Sequence, residues 1–254
     1  MRLLIFLFLI GVISFSFLKK TTGFSCENIQ KSKITILNKV PHDRSIFTQG
    51  LVRRGDQFIE SSGGFGKSFL RIYNEEKTLK NIFLPPQIFA EGIEVYKNQI
   101  FLITWRSEMA YIFDRHSFDL ISKVPYLGEG WGLASKDDLF YMSNGSDLIQ
   151  VFDNKFKKIN EKKITYLDQN LGNLNEMELI ENILYANIWQ SRKIIGIDFE
   201  KGCVVREIDA TEIVEMEQNS SPESVLNGIA YDKKEKKIYL TGKNWSHLYQ
   251  VTWD

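Results

Sequence analysis

A pattern of short apolar stretches separated by polar turns recurs five times along the chain. Each copy begins with a polar or glycine-containing turn, continues into an apolar strand, and ends with an outgoing strand that closes on Asn or Asp. Ile, Leu, Phe, Tyr and Val dominate these stretches, and Gly, Asn, Asp and Ser bound them, which is typical of β-strands. The five opening turns lie at residues 48–51, 91–93, 131–133, 175–179 and 227–230, and the closing residues are Asn74, Asp114, Asp153, Asp198 and Asp254.

The spacing within the copies is constant. The residues nine positions before the five closing residues are Phe65, Trp105, Asn144, Trp189 and Trp245. The copies are spaced by roughly 40 to 55 residues, which is near the length of a β-propeller blade. The sequence therefore predicts an all-β fold with a single five-bladed β-propeller domain.

The outermost strand of each predicted blade is the least distinct part of the pattern. Candidates are KTLKNIF, LISKVPY, KINEKKITY and CVVREID. The stretch KITILNK at residues 33–39 precedes the first copy. We expect this N-terminal strand to pair as the outer strand of the last blade and to close the ring.

The N-terminus has the pattern of an export signal. Arg2 precedes an apolar run from Leu3 to Leu18, which is shorter than the roughly 20 residues of a membrane span. We expect residues 1–25 to be a signal peptide, with an uncleaved N-terminal anchor as the alternative, and residues 26–254 to form the propeller. The predicted location is extracytoplasmic, either periplasmic or secreted.

Cys26 follows this leader closely. Gly23 stands where a lipid-attachment signal would have an aliphatic residue, so the sequence argues against a lipid-modified cysteine. Cys26 is then either a free thiol or the partner of Cys203, and the sequence leaves both alternatives open.

Composition narrows the function classes. The 254 residues carry 32 basic and 32 acidic side chains, and this balance argues against a nucleic-acid partner. Two cysteines and three scattered histidines, His42, His116 and His247, argue against a zinc or multi-histidine site. We expect His42, which precedes the first copy, to lie at the surface.

Topology predicts where a site would form. Successive strands of a blade alternate in direction, so the loop entering the first strand and the turn after the second lie at the same end. We expect these loops to form one aromatic-lined pocket with a carboxylate, an ammonium group and several amides, which is a typical small-molecule site. The entering loops carry Gln49, Glu91, Trp131, Asn175 and Asn227, and the turns carry Phe65, Trp105, Asn144, Trp189, Lys243 and Trp245.

Other features of the sequence have simpler interpretations. Any one of these tryptophans is more often a packing residue, and Glu94 and Glu129 read as surface acids. The loop at residues 63–68 lacks the spacing and the following helix of a phosphate-binding loop. The acidic segment at residues 208–224 is interpreted as a solvated insertion with a short helix at EIVEMEQ; the alternative is that it overhangs the pocket.

Taken together, these motifs resemble the plant-type and bacterial glutaminyl-peptide cyclotransferases (glutamine cyclotransferases). The resemblance runs from about residue 33 to 252 and rests on the order and spacing of short motifs. The motifs are FTQGL from Phe47, FAEGI from Phe89, LITW from Leu102, GEGWGL from Gly128, LNEME from Leu174, ANIW from Ala186, LNGIA from Leu226 and TGK from Thr241.

The resemblance implies a five-bladed propeller with Glu91 as the catalytic carboxylate. The implied substrate-binding residues are Phe47, Gln49, Trp105, Trp131, Asn175, Trp189 and Lys243. Two positions depart from the family pattern: Ala90 stands where Gly is usual, and Glu94 stands where Thr is common. An added acid near Glu91 is expected to raise the pKa of that carboxyl.

The implied reaction converts the N-terminal glutamine of a peptide or protein into pyroglutamate and releases ammonia. Glu91 would move a proton from the attacking amine to the leaving nitrogen. Indole N–H groups, Asn175 and Lys243 are the candidate donors to the oxyanion. This scheme requires no metal. We also expect no cofactor, a monomer, and membrane contact only through an N-terminal anchor.

Two other classes of function remain as alternatives. A propeller without catalytic activity could bind peptides or a protein partner, because fold does not fix function. A lactonase or a glycan-active propeller would need paired acids or a calcium cluster on the axis. The sequence shows one obvious axial acid, Glu91, which disfavours the latter class.

Overall fold

The computed structural model describes residues 25–217 and 221–253. Residues 1–24 of the predicted leader at residues 1–25, and the closing residue Asp254, lie outside the described residues. Two strands open the described chain, β1 (Gln30–Lys33) and β2 (Thr35–Pro41). They are adjacent in sequence but join two different sheets, each with strands from late in the chain.

Three antiparallel four-stranded sheets follow in chain order, each built from consecutive strands. The first contains β3 (Thr48–Arg54), β4 (Gln57–Ser62), β5 (Phe69–Tyr73) and β6 (Thr78–Phe83). The second contains β7 (Ala90–Tyr96), β8 (Gln99–Thr104), β9 (Met109–Asp114) and β10 (Leu120–Pro125). The third contains β11 (Leu133–Lys136), β12 (Leu139–Ser143), β13 (Leu148–Phe152) and β14 (Lys158–Lys163).

The fourth sheet is extended at its outer edge. A small hairpin, β15 (Thr165–Tyr166) and β16 (Gln169–Asn170), precedes its four consecutive strands. These are β17 (Leu174–Ile180), β18 (Ile183–Ile188), β19 (Lys193–Asp198) and β20 (Cys203–Asp209). Strands β15 and β1 both pair in parallel with β20, so this sheet has seven strands.

The fifth sheet combines the two ends of the described chain. The short helix α1 (Thr211–Met216) leads to β21 (Leu226–Asp232), β22 (Lys237–Gly242) and β23 (His247–Thr252). Strand β2 pairs antiparallel with β23 and takes the outer position. No helix among the described residues is long and apolar enough to cross a membrane.

In the first three sheets the fourth strand is the most exposed, whereas in the fourth sheet β20 is mostly buried. Strands β3, β7, β17 and β21 are almost wholly buried, whereas β6, β10 and β14 are mostly exposed. A strand that is buried on both faces tends to have a mostly apolar sequence. An exposed edge strand carries more polar residues and is harder to recognise from its sequence. This difference in burial explains why the outer strands of the first three sheets are indistinct in the sequence. The expected all-β, propeller-like class is confirmed.

Glycines allow the first strands of successive sheets to approach closely. A Cβ at Gly50 would lie 2.6 Å from the Ile93 nitrogen, and one at Gly92 would lie 2.7 Å from the Leu133 nitrogen. These glycines directly follow Gln49 and Glu91. The close contact at each glycine therefore fixes the backbone position from which the preceding side chain reaches the cavity.

In the fourth sheet Glu176 takes the position that glycine holds in the others. Its carboxylate oxygens accept hydrogen bonds from the Ile229 amide at 2.8 Å and the Leu51 amide at 3.4 Å. Because these amides belong to the fifth and first sheets, Glu176 connects three sheets near the centre of the molecule.

The two cysteines form a disulfide. Cys26 is bonded to Cys203 on β20, with their Cα atoms 5.7 Å apart. Of the two alternatives that the sequence left open, the structure has the paired one, and the sulfur of Cys26 is therefore not available for lipid attachment.

His42 is buried, and the expectation of a surface position is wrong. Its side chain is 1% exposed, and its Nε2 lies 3.1 Å from a carboxylate oxygen of the fully buried Glu60. The Thr48 hydroxyl donates to the same carboxylate at 2.6 Å. Burial alone would lower the pKa of His42, but Glu60 more than offsets it and the pKa is raised.

Candidate active site

One cavity of about 810 Å³ brings together all eight residues proposed from the sequence. The first strands contribute Gln49, Glu91 and Asn175 from β3, β7 and β17. The other five lie just outside strands, at the same end of the sheets. They are Phe47, Trp105, Trp131, Trp189 and Lys243.

Four other residues that the sequence predicted to line the pocket lie outside the cavity lining. Trp245 is fully buried, with its ring centre 6.2 Å from that of Tyr249, and it belongs to the core. Asn227 is buried and donates to the Thr48 carbonyl at 2.9 Å. Asn144 accepts a hydrogen bond from the Ser146 hydroxyl within its own turn. Phe65 is 56% exposed outside the cavity wall. The constant offset therefore marks the repeat and does not by itself mark the site.

The sequence reasoning missed several wall residues, of which Phe89 is the largest. Its ring centre lies 5.5 Å from that of Trp105 and 6.4 Å from that of Phe47. Phe89 stands two residues before Glu91 in the same entering turn, and this matches the spacing of Phe47 and Gln49. That parallel was the available signal.

Glu91 is the buried acid of the cavity. It is 5% exposed, and its Oε1 accepts a hydrogen bond from the Gln49 side-chain nitrogen at 3.2 Å. Burial raises the pKa of Glu91 well above its usual value; Lys243 opposes this shift and Glu129 adds to it. A carboxyl with a raised pKa can both accept and return a proton near neutral pH.

Lys243 is the buried cation of the cavity. It is 5% exposed, and its Nζ lies 4.8 Å from the centre of the Phe47 ring. Burial lowers the pKa of Lys243, and the carboxylates of Glu91 and Glu223 partly offset the shift.

Glu129 lies in the cavity wall, so its interpretation as a surface acid is wrong. One of its carboxylate oxygens accepts the indole N–H of Trp105 at 2.8 Å and that of Trp131 at 3.1 Å. The other oxygen accepts from the Arg106 Nε at 2.9 Å. Two of the indole groups expected to face an oxyanion are thus already paired with Glu129.

The remaining walls combine aromatic surface with an unpaired amide oxygen. The rings of Trp131 and Trp189 meet edge to face with centres 6.0 Å apart. Asn175 is 2% exposed, and its side-chain oxygen has no hydrogen-bond partner among the described residues. Buried polar atoms are rarely left unpaired, so this amide is suited to a polar group of a ligand.

Glu94 does not act on Glu91, which contradicts the expectation from the sequence. Its carboxylate oxygens accept hydrogen bonds from Arg54 at 2.7 Å and from the Ser135 amide at 2.9 Å. The charged groups that shift the pKa of Glu91 are Lys243 and Glu129.

The acidic segment after β20 is also more than a solvated insertion. Ile213 of α1 is fully buried, and Glu223 lines the cavity. This supports the alternative that the segment reaches the pocket. Within residues 25–217 and 221–253, no group of three or more His, Cys, Asp or Glu side chains is placed to hold a metal ion.

The fold and the cavity define an all-β, propeller-like protein whose aromatic pocket contains a buried acid, Glu91, and a buried cation, Lys243. The family model of the glutamine cyclotransferases matches residues 9–253, and the chain belongs to this family. It is 29% identical over 227 residues to an Arabidopsis thaliana glutaminyl-peptide cyclotransferase, covering 87% of this chain and 71% of that relative. The crystal structure of Myxococcus xanthus glutaminyl cyclase superposes with a TM-score of 0.85 at 30% identity, covering 89% of this chain and 99% of that one.

Proposed function

We propose that the chain converts the N-terminal glutamine of peptides or proteins into pyroglutamate and releases ammonia. The observation that carries the proposal is the buried Glu91 carboxyl, placed between Gln49 and Lys243 in an aromatic cavity. Membership of the glutamine cyclotransferase family agrees with it.

The reaction is an intramolecular ring closure. The α-amine nitrogen attacks the carbon of the γ-carboxamide, the bond from that carbon to the amide nitrogen breaks, and this nitrogen leaves as ammonia. An enclosed cavity holds the substrate in the reactive rotamer, and such positioning supplies much of the rate enhancement in ring closures.

Glu91 is the proton carrier in this scheme. It accepts a proton from the attacking amine and gives it to the leaving nitrogen, and its raised pKa suits both steps. The side-chain NH2 of Asn175, Lys243 and the Trp189 indole are the donors assigned to the oxyanion, because the indoles of Trp105 and Trp131 already bond to Glu129. Phe47, Gln49 and Trp189 complete the substrate-binding walls.

The direct test is ammonia release from a glutamine-terminated peptide, with the same peptide acetylated at its α-amine as the substrate control. Glu91→Gln keeps the size of the side chain but removes the proton carrier, and we expect kcat to fall by roughly 10²- to 10⁴-fold. Equal activity of wild type and variant would exclude Glu91 as the carrier. Peptide binding without turnover by the wild type would favour the alternative of a non-catalytic binding propeller.

We further infer that the five sheets are the blades of a closed five-bladed propeller. Pairing of β2 with β23 supports closure by the N-terminal strand, as do the close contacts between successive first strands. Deletion of residues 30–40 should then destabilise the whole fold. A truncated chain that melts at the wild-type temperature would contradict this closure.

We also infer that residues 1–25 direct export, as a signal peptide or an anchor, and that residues 26–254 are a monomeric, extracytoplasmic catalytic domain. The Cys26–Cys203 disulfide supports this location, because disulfides persist in oxidising compartments. Cell fractionation of the full chain, with and without residues 2–18, tests the inference.

A further inference from the structure

Glu129 joins two walls of the cavity through a single oxygen atom. Trp105 follows β8 of the second sheet, and Trp131 precedes β11 of the third. Their indole nitrogens both donate to the Oε2 of Glu129, at 2.8 and 3.1 Å. The carboxylate therefore couples the orientation of two rings that belong to different sheets.

The second oxygen of Glu129 is also held. The Arg106 Nε donates to Oε1 at 2.9 Å, and the Arg106 guanidinium carbon lies 3.8 Å from the centre of the Trp105 ring. Trp105 is thus fixed at its nitrogen by Glu129 and on its face by Arg106. Both indoles are half-buried, and the rings of Phe89 and Trp189 pack on one side of Trp105 and Trp131, respectively. The hydrogen bonds to Glu129 are what tie the nitrogen of each indole to the other ring.

Glu129 also contributes charge to the cavity. The charged groups that act on Glu91 are Lys243 and Glu129, of opposite sign. Arg106 pairs with Glu129, and Glu223 acts on Lys243. Burial would raise the pKa of Glu129, but its bonds to Trp131, Arg106 and Trp105 more than offset this and keep it an anion.

We propose that Glu129 is a positioning residue of this active site, which fixes Trp105 and Trp131 as substrate-binding walls and adds a carboxylate to the cavity that contains Glu91. The inference rests on the proposed function for its catalytic consequence. The fixing of the two indoles is independent of that function and can be tested separately.

The structural part is tested by NMR of the tryptophan indole N–H groups, of which the chain has five. In Glu129→Gln we expect two of these signals to move clearly, namely those that Trp105→Phe and Trp131→Phe assign by removing them. The control is Glu161→Gln, which removes the charge of an exposed carboxylate that does not line the cavity. If the Trp105 and Trp131 signals do not shift in Glu129→Gln, the proposal that Glu129 fixes the two indoles is refuted.

The catalytic part is tested by the pH dependence of kcat/KM. Loss of the negative charge in Glu129→Gln makes ionisation of Glu91 easier, so the acid limb should move to lower pH while kcat/KM falls about 10-fold or more. Glu129→Asp keeps the charge but is too short to reach both indoles. It should lower kcat/KM with a much smaller movement of the acid limb.

The outcomes separate the two proposals. If the indole signals shift in Glu129→Gln but the wild type has no cyclotransferase activity, the proposed function is refuted and the fixing of the two indoles by Glu129 is supported. An active enzyme in which Glu129→Gln leaves both kcat/KM and the acid limb unchanged would overturn the role of Glu129 in the site.

Discussion

Gln49 and Glu91 occupy matching positions on the first strands of neighbouring sheets, and the Gln49 side-chain nitrogen lies 3.2 Å from a Glu91 carboxylate oxygen. Each is followed by a glycine that lets its strand pack against the next sheet. The repeat that builds the fold therefore also brings a neutral donor to Glu91, the proposed proton carrier.

The first prediction concerns this donor. Gln49→Leu removes the hydrogen bond without changing the charge of the cavity, and hydrogen bonds to charged groups contribute about 1.5–3 kcal/mol. We expect kcat for ammonia release to fall by about 10- to 100-fold, because Glu91 loses its orientation. Gln87→Leu, at an exposed position outside the cavity, is the control and should match wild type. An unchanged kcat in Gln49→Leu would show that this bond does not orient the acid.

The second prediction concerns the charge of Lys243. Burial raises the pKa of Glu91 from 4.5 and lowers that of Lys243 from 10.5, so both are ionised over a narrower pH range than usual. Activity should fall as the pH drops through the raised pKa of Glu91, and it should also fall as the pH rises through the lowered pKa of Lys243. Lys243→Met removes the cation that opposes the shift of Glu91, so its acid limb should move to higher pH.

The same variant should lower kcat by roughly 10²- to 10³-fold, since it removes an oxyanion donor. The pH profile of kcat/KM measures both effects, with Lys155→Met on an exposed turn as the control. An acid limb that moves to lower pH in Lys243→Met would contradict the assigned electrostatics. This direction is opposite to the one expected for Glu129→Gln.

The repeat spacing and the family resemblance located Glu91, Gln49 and Lys243 in one cavity but missed the contacts of Glu129. Trp105 and Trp189 share the offset of nine residues from the closing residue of their copies, and Glu91 holds the position in its opening turn that Gln49 holds in the first, so counting along the sequence finds them. Trp245 shares the offset of Trp105 but packs into the core, whereas Lys243, two residues earlier, lies on the cavity wall.

Other residues were misread because their partners are distant in the sequence. Glu129 bonds to a tryptophan 24 positions away, and His42 bonds to the carbonyl of Trp245, 203 positions away. No local pattern reports such contacts. Glu176 shows the same limit, since its buried carboxyl in a glycine position is explained only by amides of two other sheets.

The third prediction concerns the buried pair of His42 and Glu60. The raised pKa of His42 means that its contribution to stability is complete below the unfolded value of 6.5 and is lost as pH rises through the folded value. The lowered pKa of Glu60 means that its contribution is complete above 4.5 and is lost as pH falls through the folded value. The pair therefore stabilises the fold most between these two limits.

His42→Ala leaves the Glu60 carboxylate buried without its cation, and breaking such a pair costs about 3–5 kcal/mol. Denaturant unfolding should show this loss of stability between pH 4.5 and pH 6.5, and a smaller loss in alkaline buffer. His42→Gln, which can still donate to Glu60, should lose less. A difference between wild type and His42→Ala that grows with rising pH would be incompatible with a protonated His42.

The last prediction concerns Gly132, which links the packing of the sheets to the cavity. A Cβ at this position would lie 2.1 Å from the Asn175 carbonyl oxygen and 2.8 Å from the Glu176 Cα, which are both main-chain atoms. Because the backbone must move, we expect Gly132→Ala to lower the free energy of unfolding by about 1–3 kcal/mol or more. It should also reduce kcat/KM, since Trp131 immediately precedes Gly132 and Asn175 lies on β17, and these two segments are forced apart. Gly172→Ala is the matched control, because its Cβ would meet no atom closer than 4.0 Å. Thermal melts and ammonia release measured on both variants decide the matter: equal losses in the two would attribute the effect to glycine replacement in general, whereas a loss confined to Gly132→Ala would assign it to the contact between the first strands.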